Sequence, residues 1–384
     1  MRGEIDRLME MEAEASVSAA GANYDAVTDG GRRPLVLLGT GQMGRAVHAA
    51  LLDKPVKVLC FTDNDPTRWG RILGGIPVLS PRAAARHYGD EAVFVIAFQA
   101  EAAMLGREEA RLAALGVRRI FPFTDLFRKW PETSGWPCGT PAFYREHRAE
   151  LAETMDLFED EVSRQQFLGH LRWRMIRDVG ALPIGTPEDQ YFCPDLVRLR
   201  DDECLVDGGA FDGDTLRAFL RARCEAFGRV HAFEPDPGSH EALRTFLAHL
   251  PTDLAGKISP YQAALGAGAG MVHLQAQGDH LSTVGVTGTP VPVMAVDDLP
   301  RDLPITFLKM DLEGSERPAL AGARDTLAID RPVLAVAIYH HPGDLFGLPL
   351  MIRDRCEDYR FHLRTHNRFG LDVVLYAVPC ERTR

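Results

Sequence analysis

The sequence predicts an α/β protein made of two doubly wound domains, each a mostly parallel sheet with helices on its faces. Three observations carry this. Short apolar runs alternate with helix-length stretches, and the alternation occurs twice along the chain. In each series the first apolar run leads into a glycine-rich turn. In each series an acidic residue follows the second run at about the distance expected of a nucleotide-binding crevice.

The first series starts at Pro34. Residues 1–33 carry Ala, Gly, Glu and Ser without periodicity and are expected to form a flexible tail, with a short helix within Glu4–Ala15. Leu35–Leu38, Val56–Phe61, Val93–Ala97 and Arg119–Phe121 read as strands, which sets a first domain at 34–130. After its first strand stands Gly39-Thr40-Gly41-Gln42-Met43-Gly44, a G-x-G-x-x-G that opens a helix. Asp63 follows at the spacing of a ribose-binding acid, so Gly39, Gly41, Gly44 and Asp63 form a candidate nucleotide site in a Rossmann-like domain. With Asp63-Asn64-Asp65 and Gly74-Gly75-Ile76-Pro77-Val78, the domain resembles nucleotide-binding domains attached to some sugar-modifying acyltransferases and methyltransferases. That resemblance implies a nucleotide or nucleotide-sugar ligand. No Tyr-x-x-x-Lys pair accompanies the turn, which weighs against an NAD-dependent oxidoreductase.

The stretch Pro131–Pro141 breaks the alternation with prolines and glycines. A boundary is expected at Trp130–Pro141, followed by a linker and helical region over 131–189 with its helices between Glu150 and Val179. The second domain, 190–384, holds strands at Cys204–Asp207, Val230–Phe233, Ile258–Tyr261, Val291–Val296, Ile305–Met310 and Val333–Ile338. Leu274–Pro292 reads as an irregular insertion containing Ser282 and Thr283.

The turn after its first strand is Asp207-Gly208-Gly209-Ala210-Phe211-Asp212-Gly213-Asp214. Glycines let a ligand approach the backbone. Asp207, Asp212 and Asp214 would repel a pyrophosphate but suit a ligand with an ammonium and a sulfonium, as in S-adenosylmethionine, while Asp214 also suits a helix N-cap. Phe233-Glu234-Pro235-Asp236 places an acid at the end of the next strand, where Glu234 is expected to accept the hydroxyls of a ribose diol.

Composition bounds the partners. The 384 residues have globular proportions, 46% hydrophobic and 25% charged, enough to bury two cores. A net charge of -11 argues against a broad electrostatic grip on nucleic acid or anionic lipid and favours a small-molecule substrate. The seven cysteines contain no C-x-x-C, so neither zinc nor a disulfide framework is signalled. The absence of a membrane-length apolar run and of a signal peptide gives a cytoplasmic expectation.

From roughly Gln190 to Val378 the chain resembles the FkbM-type methyltransferases of the class I S-adenosylmethionine-dependent fold. The residues that carry the likeness are Asp212-Gly213-Asp214, Phe233-Glu234-Pro235-Asp236, Ala263-Ala264-Leu265-Gly266, Lys309-Met310-Asp311-Leu312-Glu313-Gly314-Ser315-Glu316 and Tyr339-His340. The resemblance implies a seven-stranded sheet with an antiparallel last strand, supplied by a hairpin of Tyr359–Arg364 and Asp372–Val378. It also implies O-methylation of a hydroxyl, with S-adenosylmethionine held by Asp207, Gly208, Gly209, Ala210, Asp212, Asp214, Glu234, Pro235, Asp236 and Asp311. Gln262 and Ala263 would flank the adenine, and Ser282 and Thr283 would approach the cofactor. The rival reading is a non-catalytic nucleotide-sugar scaffold.

Asp311 and Glu313 follow a strand expected to end over the same crevice, Lys309 is expected to form a buried ion pair with Asp311, and Glu316 is a substrate contact or a helix-start acid. His340 is the candidate general base, ahead of His341, His362 and His366, and Asp311 is the other catalytic candidate, as a cofactor or substrate contact. Asp311, Glu313 and His340 have the ligand types of a divalent-metal site, but no ligand spacing marks one and none is expected.

Overall fold

A computed structural model describes residues 3–10, 22–98, 102–123, 126, 129–130, 139–176, 181–183, 185, 190–223, 226–276, 282–285, 288–367 and 370–383. The chain divides into two compact units, Met1–Arg148 with Leu168–Pro183, and Ala149–Phe167 with Ile184–Arg384. The expected boundary segment 131–138, with Trp136 and Cys138, lies outside the described residues.

In the first unit six strands, β1 (Leu35–Leu38), β2 (Val58–Thr62), β3 (Ile72–Leu73), β4 (Ile76–Leu79), β5 (Val93–Ile96) and β6 (Ile120–Pro122), form one sheet in the order β3-β4-β2-β1-β5-β6. All pairings are parallel except the short β3–β4 hairpin. Because strand side chains alternate, Leu35, Leu37, Val93 and Val95 face one core while Val36, Leu38, Phe94 and Ile96 face another. The helix Gln42–Leu51 covers the first face through Val47 and Leu51; the helix Pro81–Tyr88 covers the second through Ala84 and Ala85. Burial on both faces is why these strands read as continuous apolar runs.

The expected flexible tail is corrected at two places. Residues 3–10 are helical with Ile5 buried, and Ala22–Thr28 is a helix whose Tyr24 ring packs edge-on against Phe121 and Trp130 at 6.2 and 4.9 Å. Val27 packs on the same core and Asp25 pairs with Lys129 at 2.6 Å, contacts that a segment without a period does not announce.

In the second unit the main sheet has seven strands: β7 (Cys204–Gly208), β8 (Arg229–Phe233), β9 (Ile258–Tyr261), β14 (Phe307–Met310), β15 (Val333–Ala337), β16 (Tyr359–Thr365) and β17 (Val373–Pro379). Their order is β16-β17-β15-β14-β7-β8-β9, and β17 runs antiparallel to both neighbours. The expected closing hairpin is therefore present. The order reverses at β7, and the crevice beyond the carboxyl ends of β7 and its neighbours is the switch point of an open α/β sheet.

The described residues of the stretch expected as an irregular insertion are instead sheet. β11 (Gly270–Ala276) pairs antiparallel with β12 (Ser282–Gly285) and β13 (Thr289–Met294), and β13 pairs with β10 (Ala264–Leu265). Its glycines, prolines and half-exposed faces hide the period that a buried parallel strand shows.

Candidate active site

β7 ends in the glycine turn, and its position is fixed from the adjacent strand. Lys309 on β14 stands in register with Asp207 on β7, so both side chains project from the same face of the sheet. Both are fully buried, with Lys309 Nζ 3.1 Å from Asp207 Oδ1. The same Nζ donates to Gly208 O at 3.0 Å and Gly209 O at 2.6 Å, and lies 4.9 Å from the centre of the Tyr191 ring. Burial pushes the Asp207 carboxyl up while Lys309 opposes it. The buried ion pair expected of Lys309 thus exists, but with Asp207 rather than Asp311, because neighbouring parallel strands bring same-register residues together. Gly209 (φ +77°) passes so close to β14 that a Cβ there would sit 2.0 Å from Asp311 O. No other residue fits.

The aspartates of the turn do not all face a ligand. Asp207 is consumed by Lys309, and Asp212 Oδ1 by Arg217 Nη2 at 2.5 Å. Asp214 is exposed as the first residue of the helix Asp214–Arg223 and accepts the Thr215 N–H at 2.7 Å. Folding thus gives Asp207 and Asp212 cationic neighbours within the protein.

At the end of β8, Glu234 is buried and bridges the crevice: Oε2 accepts the Phe211 N–H at 2.9 Å and Oε1 the Asp236 N–H at 2.8 Å. Burial raises its carboxyl and these two N–H groups oppose the shift. Each oxygen keeps a further lone pair for a hydroxyl donor. Pro235 follows it, and Asp236 caps the helix Pro237–Ala248 through the Ser239 N–H at 2.9 Å. Beyond β9, Gln262 is exposed and Ala263 buried, beside Tyr261, whose ring stacks on Phe233 at 4.6 Å. Ala210 is buried within the turn. Ser282 and Thr283 stand on β12, and their side chains lie outside the described features.

Past β14 and β15 the structure gathers Asp311, Glu313, Glu316 and His340. His340 Nε2 is 3.3 Å from Asp311 Oδ1 and 3.5 Å from Glu313 Oε2, and its Nδ1 is 2.8 Å from Glu316 Oε1. Burial alone would push the imidazole down, but Glu316, Asp311 and Glu313 outweigh it and raise His340 to about 9. Burial pushes Glu313 up to about 7 against the pull of His340. The carboxylates around it thus bias the imidazole of the bare cluster toward its protonated form.

Sequence reasoning missed Tyr191, which donates from its hydroxyl to Asp311 Oδ2. Its own N–H donates to the Tyr376 hydroxyl at 2.9 Å, with Tyr191 in the left-handed region at φ +66°. Nothing in the linear order pairs position 191 with 311. The remaining histidines are dispersed: His341 contacts Gly314 O at 3.2 Å, His362 contacts Asp160 Oδ2 at 2.6 Å and His366 contacts the Tyr376 hydroxyl at 2.8 Å.

In the first unit, Gly39 has φ +115° and Gly44 abuts it so closely that a Cβ would lie 2.0 Å from Gly39 O; Gly41 is the helix N-cap. Asp63 accepts the Thr40 N–H (2.9 Å), the Thr40 hydroxyl and the Asp65 N–H (2.9 Å), and pairs with Arg68 at 3.4 Å. Its carboxylate ties the end of β2 to the glycine turn.

A seven-stranded sheet of this order with an antiparallel member next to its edge, a glycine turn after its first strand and an acid after its second, define the class I methyltransferase fold. Residues 207–363 match the family profile described as the methyltransferase FkbM domain. A crystal structure of methyltransferase FkbM from Methylobacillus flagellatus KT superposes with a TM-score of 0.80 at 23% identity, over 98% of this chain and 100% of that one. A putative rRNA-methylase from Clostridium thermocellum matches 51% of this chain and 98% of its own at 13% identity, with a TM-score of 0.33, too low to carry an argument. No curated protein matches the chain.

Proposed function

We propose that this methyltransferase uses S-adenosylmethionine to methylate a hydroxyl of a sugar, nucleotide-sugar or similar small metabolite. The observation that carries the reading is Glu234: a buried carboxylate, held by two backbone N–H groups, with acceptor capacity left on both oxygens beside the glycine turn. A ribose diol fits such a group. The bound cofactor would supply an electrophilic methyl group on a sulfonium.

The chain's own residues supply position. Lys309 holds the glycine turn open and Tyr191 fixes Asp311, so Asp311 and His340 border the place for the acceptor. Placement of two reactants in a near-attack geometry can account for roughly 7–11 kcal/mol of barrier reduction. The small-metabolite acceptor rests on the acidic balance of the chain, which disfavours nucleic acid and anionic membranes. Among the described residues no helix is long and apolar enough to cross a membrane and no cysteine forms a disulfide, in keeping with a cytoplasmic setting. For the first unit, the turn Gly39–Gly44 supports a nucleotide-type ligand.

Calorimetric titration of the full chain with S-adenosylhomocysteine, NAD and a nucleotide-sugar tests the reading. S-adenosylhomocysteine should bind, and Glu234→Ala should weaken it roughly tenfold or more, the loss of hydrogen bonds to a charged group. Unchanged affinity in that variant refutes the ribose contact; binding of NAD in place of the S-adenosyl ligand refutes the methyltransferase reading.

A further inference from the structure

Asp311, Glu313 and His340 present three ligand atoms within 4.8 Å of one another. The separations of 3.3 and 3.5 Å from His340 Nε2 to the two carboxylate oxygens are a few tenths of an ångström longer than adjacent corners of an octahedron with metal–ligand bonds of about 2.1 Å. The three come from different segments: Asp311 and Glu313 from the loop after β14, His340 from the loop after β15. That is why no ligand spacing marks them in the sequence.

His340 supplies the observation that points to a ligand. Its side chain is 7% exposed, yet neither ring nitrogen makes a well-aligned hydrogen bond with the carboxylates it faces. On the other side of the ring Nδ1 meets Glu316 Oε1, which is fixed by the Leu312 N–H at 2.7 Å. A carboxylate behind an imidazole whose other nitrogen faces a cation is the usual outer shell of a metal-bound histidine. Tyr191 donates to Asp311 Oδ2, while Oδ1 faces the cluster and also accepts from the Tyr339 hydroxyl at 3.5 Å, and Glu313 is kept in the left-handed region at φ +51°. Such strain is maintained where the surroundings over-determine it, commonly at functional sites.

Charge points the same way. Asp311, Glu313 and Glu316 surround one imidazole within 3.5 Å. A divalent cation offsets this excess.

We propose that Asp311, Glu313 and His340 bind one divalent first-row cation of the Mn2+ type, with Glu316 as the outer-shell partner of His340. Two carboxylates and an imidazole form a mixed donor set that suits such an ion better than the all-oxygen sites of Mg2+ or Ca2+. Three ligands on one side leave the opposite side open to two adjacent oxygens of an acceptor, such as a vicinal diol or an α-hydroxy carbonyl. This acceptor class rests on the methyl-transfer reading above.

Full-length protein stripped with EDTA and desalted is titrated with MnCl2 while the paramagnetic resonance signal of free Mn2+ is followed. One equivalent should be withdrawn from solution; Glu313→Gln and His340→Gln should each weaken binding by tenfold or more, and Glu316→Gln by roughly 10–100-fold. Absence of stoichiometric binding by the unaltered protein at millimolar Mn2+ overturns the site, as does unchanged binding in Glu313→Gln. S-adenosylhomocysteine titrated in EDTA separates the two readings. If it binds and Mn2+ does not, the cation site alone falls; if Mn2+ binds and it does not, the methyl-transfer reading falls and the cation site stands.

Discussion

Lys309 places its ammonium between one carboxylate and two turn carbonyls, so it neutralises Asp207 and shapes the ligand-facing backbone together. Replacing it by Met strands Asp207 in the interior without a countercharge, at an expected cost of about 3–5 kcal/mol in urea unfolding. Asp207→Asn added to Lys309→Met should recover part of that loss, since the unpaired charge is gone. A cost below about 1 kcal/mol for the single variant would show that the pair does not hold the turn. Tyr191 acts on the other carboxylate. Tyr191→Phe removes the hydroxyl that donates to Asp311, and turnover should fall about tenfold with S-adenosylhomocysteine affinity unchanged, the scale of one hydrogen bond to a charged group. An equal loss of cofactor affinity would place Tyr191 in ligand binding instead.

At the scale of elements, the start of the helix Glu161–Ile176 is fastened to β16 by one acid. Asp160 accepts the Ser163 N–H at 2.7 Å, contacts His362 Nδ1 at 2.6 Å and pairs with Arg364 at 3.2 Å. Burial alone would raise its carboxyl, but His362, the Ser163 N–H and Arg364 outweigh that and hold it well below the usual range. A depressed folded-state value means that its stabilisation is fully present above the unfolded value, about 3.9, and is lost as pH falls below it. The unaltered protein should therefore lose more stability between pH 5 and pH 2.5 than Asp160→Asn does, as read by urea midpoints. Parallel slopes would remove Asp160 as the acid-sensitive fastening. His362 on β16 is thereby tied to Asp160, whereas His366 contacts the Tyr376 hydroxyl.

At the scale of the whole second unit, the chain end is clamped to the base of the sheet. Arg382 donates to both Glu203 and Thr306 O, the latter at 2.9 Å, and the Thr306 hydroxyl donates to the fully buried Glu203. These residues sit at the ends of the strands opposite the site, where they fix the register of β7, β14 and β17 together. Arg382→Ala leaves Glu203 buried without its cation; a loss of about 3 kcal/mol would lower the melting temperature by about 6–12 °C in a domain of this size. A shift under about 2 °C would show the clamp to be dispensable.

The sequence by itself determined four strands of the first sheet and the parallel strands of the second, because strands buried on two faces read as nearly continuous apolar runs and a glycine turn follows the first of each series. It also determined that Glu234 and the turn Gly208–Gly209 lie at one crevice, since strand order in an open parallel sheet places consecutive strand ends side by side. What it left open depends on distance along the chain. The partner of Lys309, the hydroxyl that steers Asp311 and the gathering of Glu313, Glu316 and His340 join residues that are remote in sequence, and no local period encodes such pairs. The small sheet β10–β13 and the helix Ala22–Thr28 are not legible for a related reason: their burial is partial or rests on few side chains, Tyr24 and Val27 in the helix. Only tertiary packing decided that Asp207 and Asp212 are neutralised by neighbours and that the negative charge of the site is concentrated instead around His340. Charge that a chain carries is fixed by composition, whereas charge that a ligand meets is fixed by which partners folding brings within a few ångströms.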